Sequence, residues 1–243
     1  MRPMETRTAL VTGAARGLGQ EFAVALAGRG YRVAGLDRVP QPRTAARVLD
    51  YVESVADPAD GDQVRDALDR IVDHFGTLHV LVNGVYDGNG VYGSAGSVFD
   101  AAFEETTVQE WQRVVRLALE APFLLTRAVL PYLKKAGRGR IVNIALPGAS
   151  SAPGVAHAVS RAGLVGFTRA LAVELRPHGI TVNTIAPGTV RTTAAELTST
   201  LTSTLLYVVD ERSGLLTGQT LTVDGGGPGR PWGRPELSAP PDP

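Results

Sequence analysis

Residues 8–19, TALVTGAARGLG, decide the fold. The apolar run 8–11 reads as a buried strand, and it breaks into Gly13, Gly17 and Gly19 before a helix over residues 16–28. A strand, a glycine turn and a helix start bring free backbone N–H groups and the positive end of a helix dipole to one point. That arrangement holds a pyrophosphate. The candidate contacts are Thr12, Gly13, Arg16, Gly17, Leu18 and Gly19. A second strand, residues 31–36, ends at Asp37, about 20 residues on, where a carboxylate accepts hydrogen bonds from the adenosine ribose. Asp37 repels a 2′-phosphate and so favours NAD. Arg16 and Arg38 are candidate partners for that phosphate and favour NADP, which leaves the choice within NAD(P) open. A glycine-rich turn beside a surface Asp is the plainer alternative, and the register of strand, loop, helix and acid argues against it.

The same alternation continues outward. Strand-length runs at 48–52, 78–82, 140–144, 180–185 and 219–223 are separated by helical patterns at 61–75, 108–135, 153–176 and 194–210. Pro40 and Pro42 leave the second helix short or absent. Pro122 falls inside the pattern at 108–135, which is read as one long helix. This order predicts an α/β class, a Rossmann-like doubly wound parallel sheet of about seven strands with helices on both faces. Residues 1–227 form one domain and residues 228–243 a flexible tail too rich in Gly and Pro to fold alone. The loop 84–104 carries Tyr86, Tyr92, Phe99 and Phe103, which either line a small aromatic pocket or pack on one another.

Composition narrows the function. The 243 residues are 44% hydrophobic with a formal net charge of zero, which gives no footprint for nucleic acid or an anionic membrane. No cysteine is present, so disulfides, thiolate metal sites and cysteine nucleophiles are excluded. No apolar run reaches the roughly 18 residues of a membrane span, and a cytoplasmic protein without membrane contact is expected.

With the glycine loop, several motifs occur in one order: residues 139–144 (GRIVNI), Ala162-Gly163-Leu164 through Glu174, Asn183, residues 186–192 (APGTVRT), and residues 216–219 followed by Asp224-Gly225-Gly226. In this the chain resembles the short-chain dehydrogenase/reductase family over about residues 5–226. The resemblance implies NAD(P) binding, with Asn83 beside the cofactor and Pro187, Gly188 and Thr192 along the nicotinamide. It also implies a proton relay of Tyr, a Lys four residues later, Ser and Asn, in which the Lys pulls a phenol of ordinary pKa about 10 toward neutrality. Here His157 stands at the Tyr position, Arg161 at Lys, Leu146 at Ser and Ala118 at Asn, so none of the four is intact. Ser54 replaces the Asp that holds the adenine, Tyr86 replaces a glycine, and the segment from Thr192 to Thr217 is too short for the family's lid. Cofactor binding by this chain is therefore expected to be weak.

The pattern resembles the degenerate member of the paired short-chain reductases of aminocoumarin antibiotic pathways. There an active and an inactive subunit form a heterotetramer and oxidise the β-hydroxyl of a tyrosyl thioester on a carrier protein. The partners implied are an active reductase subunit and a carrier-bound substrate, with no nucleic acid and no membrane. Two alternatives stay open. One is a stand-alone oxidoreductase using His157 and Arg161, with Ser150 or Ser151 supplying the hydroxyl. The other is a non-enzymatic dinucleotide sensor.

Overall fold

The computed structural model describes residues 6–84, 103–145, 155–188 and 193–224. Seven runs dominated by Val, Leu, Ile, Ala and Thr form the strands β1 (Thr8–Thr12), β2 (Arg32–Asp37), β3 (Val52–Val55), β4 (Val80–Asn83), β5 (Arg140–Ile144), β6 (Thr181–Pro187) and β7 (Thr220–Val223). All pair in parallel in the order β3-β2-β1-β4-β5-β6-β7. The α/β doubly wound fold expected from the sequence is the one observed.

The α-helices among the described residues are α1 (Gly17–Gly28), α2 (Pro42–Ala45), α3 (Gly61–Phe75), α4 (Val108–Val115), α5 (Ala121–Ala136), α6 (Val155–Leu175) and α7 (Ala194–Val209). Alternating side chains of the strands divide the core in two. Ala9 and Val11 face Leu18, Phe22 and Leu26 of α1 and Leu197, Leu201 and Leu205 of α7. Leu10 and Leu81 face α3, α5 and α6 through Leu68, Ile71, Leu125, Val129 and Leu175. Complete burial of side chains such as Phe22 and Leu125 contributes roughly 1.5–3 kcal/mol each.

Local chemistry sets the boundaries. Helix α3 starts where the Asp60 carboxylate accepts from the N–H groups of Asp62 and Gln63 at 3.0 and 3.1 Å, and ends at Gly76 in the left-handed region (φ 78°). The expected long helix at 108–135 is not continuous. Residues 116–120 form a π-turn between α4 and α5, and Pro122 lies in the first turn of α5. Proline offers no N–H to the carbonyl four residues earlier, at Ala118, and its ring crowds that carbonyl, so a widened turn accommodates it. The third strand also differs from the expected 48–52. Val48 is buried but belongs to the approach, Leu49 is 93% exposed, and Asp50 takes φ 53°, so the strand begins only at Val52. Among the described residues no helix is long and apolar enough to cross a membrane, and no cluster of His, Asp and Glu could hold a metal ion. The tail at 228–243 and the aromatics Tyr86, Tyr92 and Phe99 lie outside the described residues.

Candidate functional site

Strand order reverses between β1 and β4, and in a doubly wound sheet the crevice beyond the carboxyl ends at such a point receives the ligand. The turn after β1 fills one side of that crevice. Gly13 and Gly17 adopt φ 72° and 58°, conformations that side chains resist. A Cβ at Gly19 would collide with the Gly13 carbonyl oxygen, so the third glycine lets α1 close onto the turn. Leu18 is 2% exposed and anchors this turn in the core, whereas Arg16 is exposed. No side chain caps the start of α1, so its N–H groups remain available to an anion.

Asp37 ties the turn to β2. Its Oδ2 accepts from the Ala15 N–H at 3.0 Å and its Oδ1 from the Val39 N–H at 3.3 Å. Thr12 is fully buried and acts as a strut, its hydroxyl accepting from the Gly84 N–H at 3.0 Å. Two supports were not foreseen from the sequence. Thr44 in α2 donates to the Ala14 carbonyl at 2.6 Å and accepts from Gln20 Nε2 at 3.0 Å. Gln41, fully buried, donates to the Ser54 carbonyl at 3.0 Å and accepts from the Tyr51 hydroxyl, whose pKa burial pushes upward. Prolines on both sides of Gln41 were the only hint that this stretch is held in one shape. Ser54, at the adenine-side position, is 2% exposed and its Oγ has no hydrogen-bond partner. The turn, the open helix start and Asp37 thus fit the pyrophosphate and ribose of a dinucleotide.

The reaction side is built from β4, β5, the π-turn and α6. Asn83, Leu117, Ala118, Pro122, Ser160 and Arg161 meet around a cleft of about 10 Å³, room for about one water molecule. The structure therefore brings together three sequence candidates, Asn83, Ala118 and Arg161. Half-buried His157 lies one turn before Arg161 on α6, while Leu146, Ser150, Ser151 and Thr192 lie outside the described residues. The Asn83 amide donates to Asn143 Oδ1 at 2.8 Å and to Thr126 at 3.3 Å, so this side chain is partly a strut of the interior. Asn143 in turn donates to Thr168 at 2.8 Å, and the Thr168 and Thr184 hydroxyls are 2.7 Å apart. Among the described residues, buried Ser160 Oγ and Asn83 Oδ1 have no hydrogen-bond partner. The described lining offers an amide, an alcohol and a guanidinium, and no phenol.

Pro187 is buried at the end of β6, and Gly188 donates to the Val223 carbonyl at 2.9 Å. A Cβ at Gly188 would collide with Asp224 Cβ, which explains the glycine by close approach to β7. Only six residues separate Pro187 from Ala194, the first residue of α7. That connection is shorter than the one- or two-helix lid the resemblance implies.

The family model described as short chain dehydrogenase matches residues 7–201. A 3-oxoacyl-(acyl-carrier-protein) reductase of Synechocystis is 31% identical, with 93% of this chain and 98% of that protein covered. The hydroxy(phenyl)methylsuccinyl-CoA dehydrogenase subunit BbsD of Thauera aromatica is 32% identical, with 92% and 97% covered. Among solved structures, the 3-ketoacyl-(acyl-carrier-protein) reductase of Brucella melitensis complexed with NADH superposes with a TM-score of 0.79. It is 25% identical, and 92% of this chain and 99% of that one are covered.

Proposed function

The chain belongs to the short-chain dehydrogenase family of NAD(P)-dependent oxidoreductases, and from that premise we propose that it is a dinucleotide-fold subunit that does not itself carry out the reaction and pairs with an intact family member. One observation carries this reading: the cleft where the relay would stand is lined by Ala118, Ser160 and Arg161. Bound NAD(P) supplies hydride chemistry, but a carbonyl or alcohol substrate also needs a positioned acid or base. Loss of one such group costs on the order of 10² to 10⁴ in rate, and loss of several leaves little beyond binding. The six-residue connection before α7 adds a second deficit, because a site without a lid excludes water poorly.

Pairing is supported by α6. Val155, Val159, Ala162, Gly166, Ala170 and Val173 fall on one face of this helix and all are exposed, Val173 at 78%. Such a stripe of small and β-branched side chains suits close packing against another helix. Two relatives support the proposed substrate class: their names give substrates held on an acyl-carrier protein or on coenzyme A, and one is named as a subunit. On this reading the complex oxidises a β-hydroxy-acyl thioester on a carrier protein to the β-keto form, with the β-hydroxy-tyrosyl thioester of aminocoumarin assembly as the specific candidate.

The test uses the purified chain with NADH or NADPH and a β-ketoacyl thioester, alone and mixed with an intact short-chain reductase from the same source. Alone it shows no turnover. Mixed, it sediments as one complex, and Val159→Glu abolishes the complex while leaving the folded monomer intact. Steady turnover by the chain alone, lost on His157→Ala, overturns the proposal in favour of an atypical enzyme. Two separate species at micromolar concentration overturn the pairing.

A further inference from the structure

At the opposite edge of the sheet, the amino ends of β1, β2, β4 and β5 and the ends of α1, α5 and α7 border an open cavity of about 900 Å³, within the range of small-molecule sites. Its wall carries Arg7, Arg29, Arg138 and Arg212 against two carboxylates, Asp210 and Glu211. Both carboxylates are already engaged. Asp210 accepts from Arg212 at 2.9 and 3.1 Å, and Glu211 from Arg138 at 3.1 Å. Arg7 and Arg29 have no carboxylate partner among the described residues. Arg7 donates instead to the Tyr31 hydroxyl at 3.2 Å and to the Val209 carbonyl at 3.1 Å, with its guanidinium 5.4 Å from the Tyr31 ring centre.

Behind this wall lies Arg140. It is 4% exposed, its Nε has no partner, and its Nη1 reaches only the neighbouring Gly139 carbonyl at 3.0 Å. Burial lowers its pKa from the usual arginine range, and Arg7 and Arg138 lower it further against the opposing influence of Tyr31 and Glu211. All four of those neighbours line the cavity. A buried guanidinium crowded by other guanidiniums is costly unless an anion compensates it.

We infer that this cavity binds a small phosphate-bearing molecule, held by Arg7 and Arg29 and favoured by the buried charge of Arg140. Phosphate suits the arrangement better than carboxylate, because its several terminal oxygens accept from more than one guanidinium, whereas a carboxylate matches a single fork. The inference is independent of the proposal for the opposite edge of the sheet. It also gives the excess arginines a role besides capping helix carbonyls, which Arg7 performs at Val209.

Calorimetric titration of the full chain with sodium pyrophosphate, in phosphate-free buffer of low ionic strength, tests it. Saturable binding is expected, and Arg29→Glu, at an exposed position, weakens it at least about tenfold, as does Arg7→Met. Pyrophosphate raises the melting temperature of the unaltered chain more than that of the Arg29→Glu variant. The glycine turn is a competing site for this probe, so the variants decide location. Affinity retained within about twofold in Arg29→Glu places the anion elsewhere and overturns the inference. Absence of binding up to about 1 mM, or binding of citrate in preference to pyrophosphate, overturns it equally. If Arg7→Met fails to fold because the Val209 carbonyl loses its donor, Arg29→Glu alone decides the matter.

Discussion

At the carboxyl edge of the sheet, the turn after β1 and the cleft after β4 and β5 meet their polar requirements differently. Around the turn, Asp37 takes the Ala15 N–H, Thr44 takes the Ala14 carbonyl and Thr12 takes the Gly84 N–H, so the loop is held without any ligand. In the cleft, Ser160 Oγ and Asn83 Oδ1 are buried without partners among the described residues, and Ala118 contributes only a methyl group. On the function proposed above, this contrast is why the relay chemistry is lost while the fold persists. The binding turn is tied into the core by Leu18 and by backbone geometry, whereas the cleft is lined from the π-turn and α6 by Ala118 and Arg161, neither of which is fully buried.

The largest way to break that contrast is Gly19→Ala. Its Cβ would meet the Gly13 carbonyl oxygen, a backbone atom that cannot swing aside, so α1 must move off the turn. A loss of roughly 3 kcal/mol in unfolding free energy is expected, together with loss of NAD(P) binding, measured by urea denaturation and calorimetry. Next comes Asn143→Ala. It removes the acceptor of the Asn83 amide and the donor to Thr168 in a fully buried chain of bonds, for an expected cost of about 2–3 kcal/mol. A loss below about 0.5 kcal/mol in the same denaturation experiment contradicts the view that this chain of bonds belongs to the core.

The sequence made the first region legible and the second only in part. Glycines, an acid at a strand end and apolar strand runs are local signals, and Gly13, Gly17, Gly19 and Asp37 all take the positions their spacing implied around the turn. The interior chain Asn83–Asn143–Thr168–Thr184 left no such mark, because a Thr inside a helical pattern reads as surface until tertiary packing buries it. The π-turn was hidden for a related reason. Leu117 and Leu124 keep a helical apolar spacing through the break, so Pro122 reads as lying inside one long helix. Val48 and Leu49 misled in the other direction, their apolar character suggesting a strand where the chain is still turning.

A smaller effect sharpens the binding side. Asp37→Ala removes the acceptor of the Ala15 and Val39 N–H groups and of the ribose. NAD affinity is expected to fall about tenfold, and stability by about 1 kcal/mol, because the exposed Val39 N–H regains water whereas buried Ala15 loses its partner. If NADP affinity instead rises above that for NAD in the variant, Arg16 and Arg38 supply the phosphate contact that Asp37 suppresses.

The smallest expected effect comes from restoring what the cleft lacks. The combined variant Ala118→Asn, Leu146→Ser, His157→Tyr and Arg161→Lys reinstates the four relay side chains, and Asn at 118 can meet the partnerless Ser160 hydroxyl across the cleft. Stability should change by no more than about 1 kcal/mol, since Ala118, His157 and Arg161 are only half-buried. Turnover of a β-ketoacyl thioester should nevertheless stay below about a hundredth of that of an intact reductase, because six residues between β6 and α7 cannot form a cover that excludes water. Full activity in steady-state assays would mean that side-chain identity alone separates this cleft from a working one. The short connection would then be irrelevant to the chemistry, and the difference between the two regions would lie in a handful of replaceable atoms rather than in the architecture around them.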